Sequence, residues 1–236
     1  KMDSKAVCLE TILPKITTTA AIPNLDVLLT LTKYCQKHLP PASVQSRELW
    51  VINKRKQIRK ASEVYFSAEF KPAADWETHQ RYLPGADFLN ADYVSDCVDP
   101  SGWREFFRAT GVREAPDNGV EDFAMKFAED KLRSRFKNIR TVEKRNFGYD
   151  MEAEEAEGQR AHLEVKGLTA EGPVELTGNE AEAARVHGQS YYLCVVSGIP
   201  KDPALHLVRD PDRVGVKDKL TIRAADWKRE RFPDQS

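Results

Sequence analysis

The chain has 236 residues, of which 41% are hydrophobic and 31% are charged, and its formal net charge is −1. These totals predict a soluble globular protein with one large domain or two ordinary ones, and they exclude a polyanion-binding protein that is basic along its whole length. The sequence has no apolar run near the roughly 20 residues of a transmembrane helix and no signal peptide at its start, so we expect neither a membrane span nor a membrane partner.

The four cysteines are scattered through the chain, and the five histidines are dispersed as well. None of the cysteines forms a Cys-x-x-Cys pair, so a zinc site is not expected and a reduced intracellular setting is favoured. We expect the cytoplasm of a bacterium, or the nucleus if the source is eukaryotic. Because the first residue is Lys1 and not Met, we also expect the chain to be a piece of a longer protein.

The N-terminal part has uneven patterns. Residues 1–23 show little periodicity and predict a loose, extended lead-in. A helix is predicted to begin after Asn24, whose side chain can cap it, and to end at the Leu-Pro-Pro of residues 39–41. Residues 47–53 and 62–67 are rich in Val, Tyr, Trp and Phe, which predicts two strands. Together these patterns predict a mixed α/β region.

A basic run, Lys-Arg-Lys-Gln-Ile-Arg-Lys, occupies residues 54–60 between the two predicted strands. The simpler interpretation is a solvated turn or edge. The functional interpretation is a patch that contacts phosphate groups.

An aromatic stripe marks residues 101–112. Trp103, Phe106 and Phe107 recur at helical spacing, which predicts a short amphipathic helix. Such a stripe more often belongs to a core than to a base-stacking platform, so we predict that the three rings are buried.

Residues 113–119, Arg-Glu-Ala-Pro-Asp-Asn-Gly, are rich in turn formers and separate two patterned blocks. We therefore predict a domain boundary here. Residues 1–116 are expected to form a smaller mixed α/β region that binds nucleic acid or a partner, and residues 117–236 a second domain.

The second block has clearer patterns. An apolar face at helical spacing predicts a helix over residues 120–136, and Thr177 and Glu180 have the spacing of a capping box that begins another helix. Strand patterns lie between and after them, and the nearly continuous apolar run at residues 191–198 predicts a buried central strand. The predicted order is α-β-β-β-α-β, an α/β (α+β) fold with a mixed central sheet.

The segment Ala-His-Leu-Glu-Val-Lys-Gly, residues 161–167, predicts a strand that carries Glu164 and Lys166 on one face. A turn centred near residue 157 places Asp150 opposite Glu164 on the preceding strand. Facing carboxylates repel each other unless a divalent cation lies between them, and carboxylate oxygens are ligands that Mg²⁺ prefers. Because Lys166 stands beside them to hold a phosphate or an attacking water, the pattern favours metal-assisted phosphodiester hydrolysis.

Asp, a spacer and Glu-x-Lys within this element order resemble the PD-(D/E)XK nuclease superfamily, although Tyr149 stands where the superfamily motif has Pro. Residues 119–210 more closely resemble the C-terminal domain of NO VEIN-type proteins, found in plant NO VEIN proteins and at the ends of bacterial helicase and ATPase chains, including restriction and phage-defence proteins. The segments that carry this resemblance are VEDFAMKFAED, FGYDMEAE, AHLEVKG, ELTGNEAEAA and YYLCVV. Further upstream, DFLNADYV and WREFFRATGV resemble the segment that precedes this domain in sacsin-like and NO VEIN-like proteins.

The resemblance implies a restriction-endonuclease-like core and a role for each matching residue. Asp150 and Glu164 would bind Mg²⁺ or Mn²⁺, with help from the Val165 carbonyl. Lys166 would orient or activate the nucleophilic water and steady the phosphate. Glu121, on the first helix of the block, would complete the catalytic set.

A basic cluster follows that first helix: residues 126–145 contain eight basic and three acidic residues. It suits a surface that follows a phosphate backbone, but basic residues are also favoured at helix C-termini by the helix dipole, so both interpretations stay open. The residues expected to contact nucleic acid are Lys126, Arg133, Arg135, Lys137, Arg140, Lys144 and Arg145.

Motifs and resemblance together imply a metal-dependent endonuclease that hydrolyses DNA, as the C-terminal part of a larger restriction or phage-defence protein. An ATPase or helicase module is the expected partner, covalent or not, and a homodimer is compatible with this interpretation. The alternative is a non-catalytic module that keeps the nuclease-like fold and recognises nucleic acid or acts as a scaffold. A third alternative is a protein-interaction domain with neither activity.

Overall fold

The computed structural model describes residues 3–18, 22, 24–45, 47–116, 118–142, 147–214 and 221–230. The chain divides into two compact units, Lys1–Asp117 and Asn118–Ser236, and the division falls inside the turn-rich segment 113–119. In the part of the chain so described, no helix is both long and apolar enough to cross a membrane.

The first unit begins with short helices that pack against a longer one. These elements are α1 (Ser4–Val7), a π-helical turn (Cys8–Ile12), α2 (Leu13–Ile16) and α3 (Leu25–His38). The prediction of a loose lead-in is therefore wrong for residues 4–16. Cys8 and Leu13 are buried in the same core as Leu28 of α3, and this tertiary packing supports helical turns too short to be stable alone. The predicted start of α3 is confirmed, since the Asn24 side chain caps it.

A short antiparallel hairpin follows, in which β1 (Trp50–Ile52) pairs with β2 (Ile58–Lys60). The first predicted strand is confirmed, but the second, at residues 62–67, is wrong. Ala61–Glu63 forms a 3-10 turn, and Tyr65 makes isolated bridges only. The apolar residues that suggested a strand are buried in the core instead.

Strand β2 lies inside the basic run of residues 54–60, and the charged side chains of this run have acidic partners. The ion pairs are Lys54 with Glu69 and Glu77, Arg55 and Arg59 with Asp87, Lys56 with Asp92, and Lys60 with Glu48. Because these carboxylates offset the positive charge within the unit, the structure favours a structural role for the run over a phosphate-binding patch.

The aromatic stripe is the buried face of α4 (Ser101–Ala109), as predicted. Trp103, Phe106 and Phe107 are all buried, and the Tyr93 ring meets the Phe107 ring edge-on at 5.0 Å. These rings therefore belong to the core of the first unit and have no free face for a nucleobase.

The second unit contains a five-stranded sheet. Its elements are α5 (Gly119–Leu132), β3 (Lys137–Thr141), β4 (Met151–Glu154), β5 (Arg160–Gly167), β6 (Val174–Glu175), α6 (Gly178–His187), β7 (Tyr191–Ser197), β8 (Ala204–Arg209), β9 (Thr221–Ile222) and α7 (Ala224–Trp227). The strand order is β3-β4-β5-β7-β8, with β5 and β7 parallel and the other neighbouring pairs antiparallel. The predicted α+β fold with a mixed central sheet is confirmed. The small β6–β9 sheet was not predicted.

Helices α5 and α6 contact neighbouring residues at the end of β5. A Cβ added to Gly167 would lie 2.7 Å from the Val120 carbonyl oxygen, so the end of β5 packs closely against the first turn of α5. The neighbouring Lys166 reaches Glu180 on α6 instead. Since successive strand residues point to opposite faces, the two helices lie on opposite sides of β5.

Gly148 anchors the chain just before β4. Its φ is +80°, and an added Cβ would lie 2.3 Å from the Asn179 carbonyl oxygen and 2.7 Å from the Ala183 Cβ. Its own carbonyl accepts a hydrogen bond from the buried Tyr191 hydroxyl at 2.8 Å. Both the backbone conformation and the approach to α6 therefore require glycine.

We predict that Gly148→Ala lowers the free energy of unfolding by about 2–4 kcal/mol, since overpacking adds about 1–3 kcal/mol to the cost of the positive φ. Gly158 is a matched control, because its φ is +79° and an added Cβ would have nothing within 4 Å. Gly158→Ala is expected to cost about 1 kcal/mol. Urea denaturation of the two variants measures both values, and equal costs would contradict the predicted clash.

Candidate functional site

The acidic hairpin has the register that the sequence predicted. Strands β4 and β5 pair antiparallel with Met151 opposite Leu163, and their turn is centred at residue 157. Asp150 stands immediately before Met151, level with Glu164 on the neighbouring strand. One end of the hairpin therefore carries both carboxylates.

Asp150 is held against β5 by two hydrogen bonds. Its N–H donates to the Leu163 carbonyl at 2.9 Å, and its Oδ2 accepts from the Val165 N–H at 2.8 Å. Because β4 begins at Met151, this Val165 N–H lies beyond the β4–β5 ladder, and the Asp150 carboxylate satisfies it. The Val165 side chain is buried as expected, whereas a role of its carbonyl toward a metal stays a prediction.

Lys166 lies between two carboxylates from different elements. Its Nζ is 2.7 Å from the Glu164 Oε1 and 2.8 Å from the Glu180 Oε2. Glu180 is fixed in turn, because its Oε2 accepts a hydrogen bond from the Thr177 N–H at 2.8 Å in the capping box of α6. The sequence assigned Glu180 to the cap, which is confirmed. Its second contact, to Lys166, depends on how α6 packs on the sheet.

Burial raises the pKa values of both central carboxyls. The Glu164 residue is 3% exposed, and its burial together with the charge of Asp150 raises its pKa to about 9. Burial also raises the pKa of Asp150, and the charges of Glu180 and Glu121 add to this rise. For Lys166, burial acts to lower the pKa, but the Glu164 and Glu180 carboxylates outweigh it, and the pKa is raised.

Glu121 lies in the first turn of α5, and it is exposed. Gly167, at the end of β5, packs against this turn. The carboxylate of Glu121 is close enough to contribute to the raised pKa of Asp150. The structure thus brings Glu121 within electrostatic range of Asp150.

The donor set at this point suits a hard divalent cation. Asp150 and Glu164 present oxygen ligands, and a cation would relieve the repulsion that raises their pKa values. Among the described residues, no three side chains of His, Cys, Asp or Glu gather into a larger ligand set. Mg²⁺ takes one or two protein carboxylates and completes its shell with water and phosphate oxygens, so the pair fits Mg²⁺ better than a metal that needs a full protein cage.

The predicted nucleic-acid contacts near α5 are engaged within the unit. Lys126 and Arg133 lie 3.4 and 2.8 Å from the carboxylate of Glu129. The Arg135 guanidinium lies over the Tyr192 ring, 5.4 Å from its centroid. Surface ion pairs of this kind are weak, so a phosphate can compete for the two side chains on the helix.

The remaining predicted contacts follow strand β3. Arg140 forms an ion pair with Glu152 of β4, and Lys137 is exposed at the start of the strand. Lys144 and Arg145 lie outside the described residues. The structure therefore distributes the basic cluster over α5 and β3, and its role toward nucleic acid stays a prediction.

Fold and site together define an α+β domain whose mixed sheet carries an acidic hairpin with a lysine beside it. Residues 120–208 match the family model described as Protein NO VEIN, C-terminal. The resemblance drawn from the sequence motifs is thereby confirmed for this part of the chain. No curated protein and no solved structure gives a significant match.

We predict that Glu164→Gln stabilises the protein at neutral pH when divalent cations are removed with EDTA. The folded-state pKa of Glu164 is raised from 4.5 to about 9, so the folded state binds the proton more tightly than the unfolded state. Between these two pH values the unfolded carboxyl ionises while the folded one keeps its proton. The stability of the wild type therefore falls as pH rises from 4.5 to about 9, and a glutamine avoids this loss. Lys166 keeps Glu180 as a partner in the variant.

A calorimetric melt at pH 7.5 is expected to show a Tm about 2–4 °C above that of the wild type, which corresponds to roughly 1 kcal/mol. The difference should shrink as pH falls toward 4.5, where the unfolded carboxyl also binds its proton. Glu182→Gln, at an exposed carboxyl of α6, is the control and should leave the Tm unchanged. A lower Tm for Glu164→Gln at pH 7.5 would show that the carboxylate stabilises the fold.

Proposed function

We propose that residues 118–236 form a metal-dependent nuclease domain that hydrolyses phosphodiester bonds, with DNA as the substrate. The observation that carries the proposal is the joint placement of Asp150, Glu164 and Lys166 at one end of the hairpin, with Lys166 Nζ 2.7 Å from the Glu164 carboxylate. The match of residues 120–208 to the NO VEIN C-terminal family supports the fold context, and it says nothing of activity by itself.

Each residue has a chemical task in this proposal. Asp150 and Glu164 would hold Mg²⁺ or Mn²⁺, and the bound ion would supply a Lewis acid for the phosphoryl oxygen and lower the pKa of a coordinated water. Lys166 donates hydrogen bonds to the attacking water or to a phosphate oxygen. In the hydrolysis the water oxygen would form a new P–O bond as the bond to the leaving nucleotide oxygen breaks; the water gives up one proton to solvent and the leaving oxygen takes one up, so that protons balance.

Glu180 acts in this proposal as a positioning residue for Lys166. A lysine has four flexible side-chain bonds, and two carboxylates at 2.7 and 2.8 Å restrict its ammonium to one place. Glu180 is itself restricted by the α6 cap. The ammonium is thus held by groups on a strand and on a helix, which suits a site that requires a fixed geometry.

The wider setting is also proposed. A larger protein with an ATPase or helicase module, of the restriction or phage-defence kind, would deliver the substrate to this domain. A non-catalytic module that recognises nucleic acid is the second candidate, because the Lys166 ammonium already has two carboxylate partners.

The first test is cleavage of plasmid and single-stranded DNA with Mg²⁺ or Mn²⁺. We expect cleavage by the wild type that EDTA abolishes, and a loss of about 100-fold or more in Asp150→Asn and Lys166→Gln, since each removes a group that acts on the reacting phosphate or its metal. Both changes keep side-chain size, and a melt confirms that each variant is folded.

Glu157→Gln, in the exposed turn of the same hairpin, is the matched control and should cleave like the wild type. Cleavage that survives both site substitutions would refute the nuclease proposal. DNA binding without cleavage, and without Mg²⁺ or Mn²⁺ binding in titration calorimetry, would favour the recognition module.

The second test separates the two contacts of Glu180. Glu180→Gln keeps an acceptor for the Thr177 N–H but loses the charge that faces Lys166, so we expect little change in stability and a loss of about tenfold or more in kcat. Thr177→Ala removes the hydroxyl of the cap and leaves the Glu180 carboxylate, so we expect a cost of about 1 kcal/mol in stability and unchanged kcat. Equal kcat losses in the two variants would assign Glu180 to the helix alone.

A further inference from the structure

Four rings form a continuous row beside the acidic hairpin. Phe147 stacks on Tyr149 with ring centroids 6.0 Å apart, and Tyr149 meets His162 edge-on at 4.7 Å. His162 stacks on His187 of α6 at 3.7 Å. The row runs from His187 of α6 across the buried His162 of β5 to Tyr149 and ends at Phe147, which is 49% exposed.

The backbone on the C-terminal side of Phe147 is held against α6. Its neighbour Gly148 packs against α6 at a distance that admits no side chain, and the Gly148 carbonyl accepts the Tyr191 hydroxyl. A large aromatic ring beside such an anchored backbone loses little conformational entropy when it binds a ligand. The structure therefore places an exposed aromatic ring next to an anchored residue.

Polar groups continue from this row across β4 and β3. The Tyr149 hydroxyl donates to the Glu152 Oε1 at 3.0 Å, and Glu152 faces both Arg140 and His162 on the neighbouring strands. Arg140 and Glu152, together with Arg160 and others, line a cleft of about 440 Å³. The cleft thus holds two guanidinium groups, of which that of Arg140 is paired with the carboxylate of Glu152, a contact for which a phosphate oxygen can compete.

The position of Phe147 relates it to the proposed reaction. Two residues separate it from Asp150, so the two Cα atoms are three steps of chain and at most about 10–11 Å apart. Phe147 therefore lies close to the proposed metal ligands. A ring at this distance is placed to contact a base next to the scissile phosphate.

We propose that Phe147 is a stacking platform for an unpaired nucleobase, so that the substrate at this site is single-stranded nucleic acid. The inference rests on the proposed function. Aromatic side chains stack on bases of any sequence, whereas the base faces of a duplex are covered by their neighbours. The Arg140 and Arg160 side chains, which line the cleft on the same hairpin and its neighbouring strand, would contact backbone phosphates of the bound strand.

The experiment measures binding without chemistry. Fluorescence anisotropy in EDTA gives the Kd of the full chain for a labelled DNA strand of about 20 nucleotides, for its duplex, and for an RNA strand of the same sequence. Phe147→Leu keeps an apolar side chain and removes the ring. We expect the wild type to prefer single strands, and Phe147→Leu to weaken single-strand binding about tenfold while duplex binding is unchanged.

Phe147→Trp should restore single-strand binding, because it restores a ring. Tyr34→Leu, at an exposed aromatic ring of the first unit, is the control and should bind like the wild type. The DNA and RNA arms show which strand the platform accepts. Unchanged single-strand binding by Phe147→Leu would overturn the inference, and so would an equal loss of single-strand and duplex binding. Either result would favour a protein partner for this ring.

The outcome is separable from that of the nuclease proposal. If the wild type does not cleave DNA but Phe147→Leu loses single-strand binding, the stacking platform is supported and the nuclease proposal is refuted. If cleavage depends on Asp150 but Phe147→Leu binds single strands like the wild type, the nuclease proposal is supported and the stacking platform is refuted.

Discussion

The burial of carboxylates around Lys166 is the constraint on which the second unit depends. One carboxyl on the hairpin, Glu164, and one on α6, Glu180, share the ammonium of this lysine, and burial together with the charge of Asp150 raises the pKa of Glu164 to about 9. Such an arrangement costs stability in the absence of a counter-ion, because each buried charge loses its hydration. The surrounding elements have to hold it in place.

Hydrogen bonds and close packing hold these buried carboxylates in place. The Val165 N–H orients the Asp150 carboxylate, and the Thr177 N–H orients that of Glu180. Glycines at positions 148 and 167 let the hairpin approach α6 and α5 more closely than any side chain would permit. Carboxylates that are fixed in position at a cost in stability are typical of functional sites, where pre-organised groups are needed.

The two units differ in how well their sequences predicted them. In the second unit the hydrophobic patterns extend over long segments, which define the elements clearly. The predicted hairpin register and the predicted capping box of α6 were both confirmed. In the first unit the elements are short, and tertiary packing decides them. Residues 62–67 have the composition of a strand, yet the partner of β1 is Ile58–Lys60, because the turn after β1 folds the basic run back onto it.

By itself, the sequence determined the order of elements in the second unit, the facing positions of Asp150 and Glu164, and the family resemblance, because strand alternation and turn position are local properties. The tertiary structure decided which distant groups meet. It brought Glu180 onto Lys166, paired the basic run of the first unit with carboxylates, and buried the rings of α4 while leaving Phe147 at the surface. These contacts depend on how helices pack on sheets, and no local pattern of residues encodes that packing.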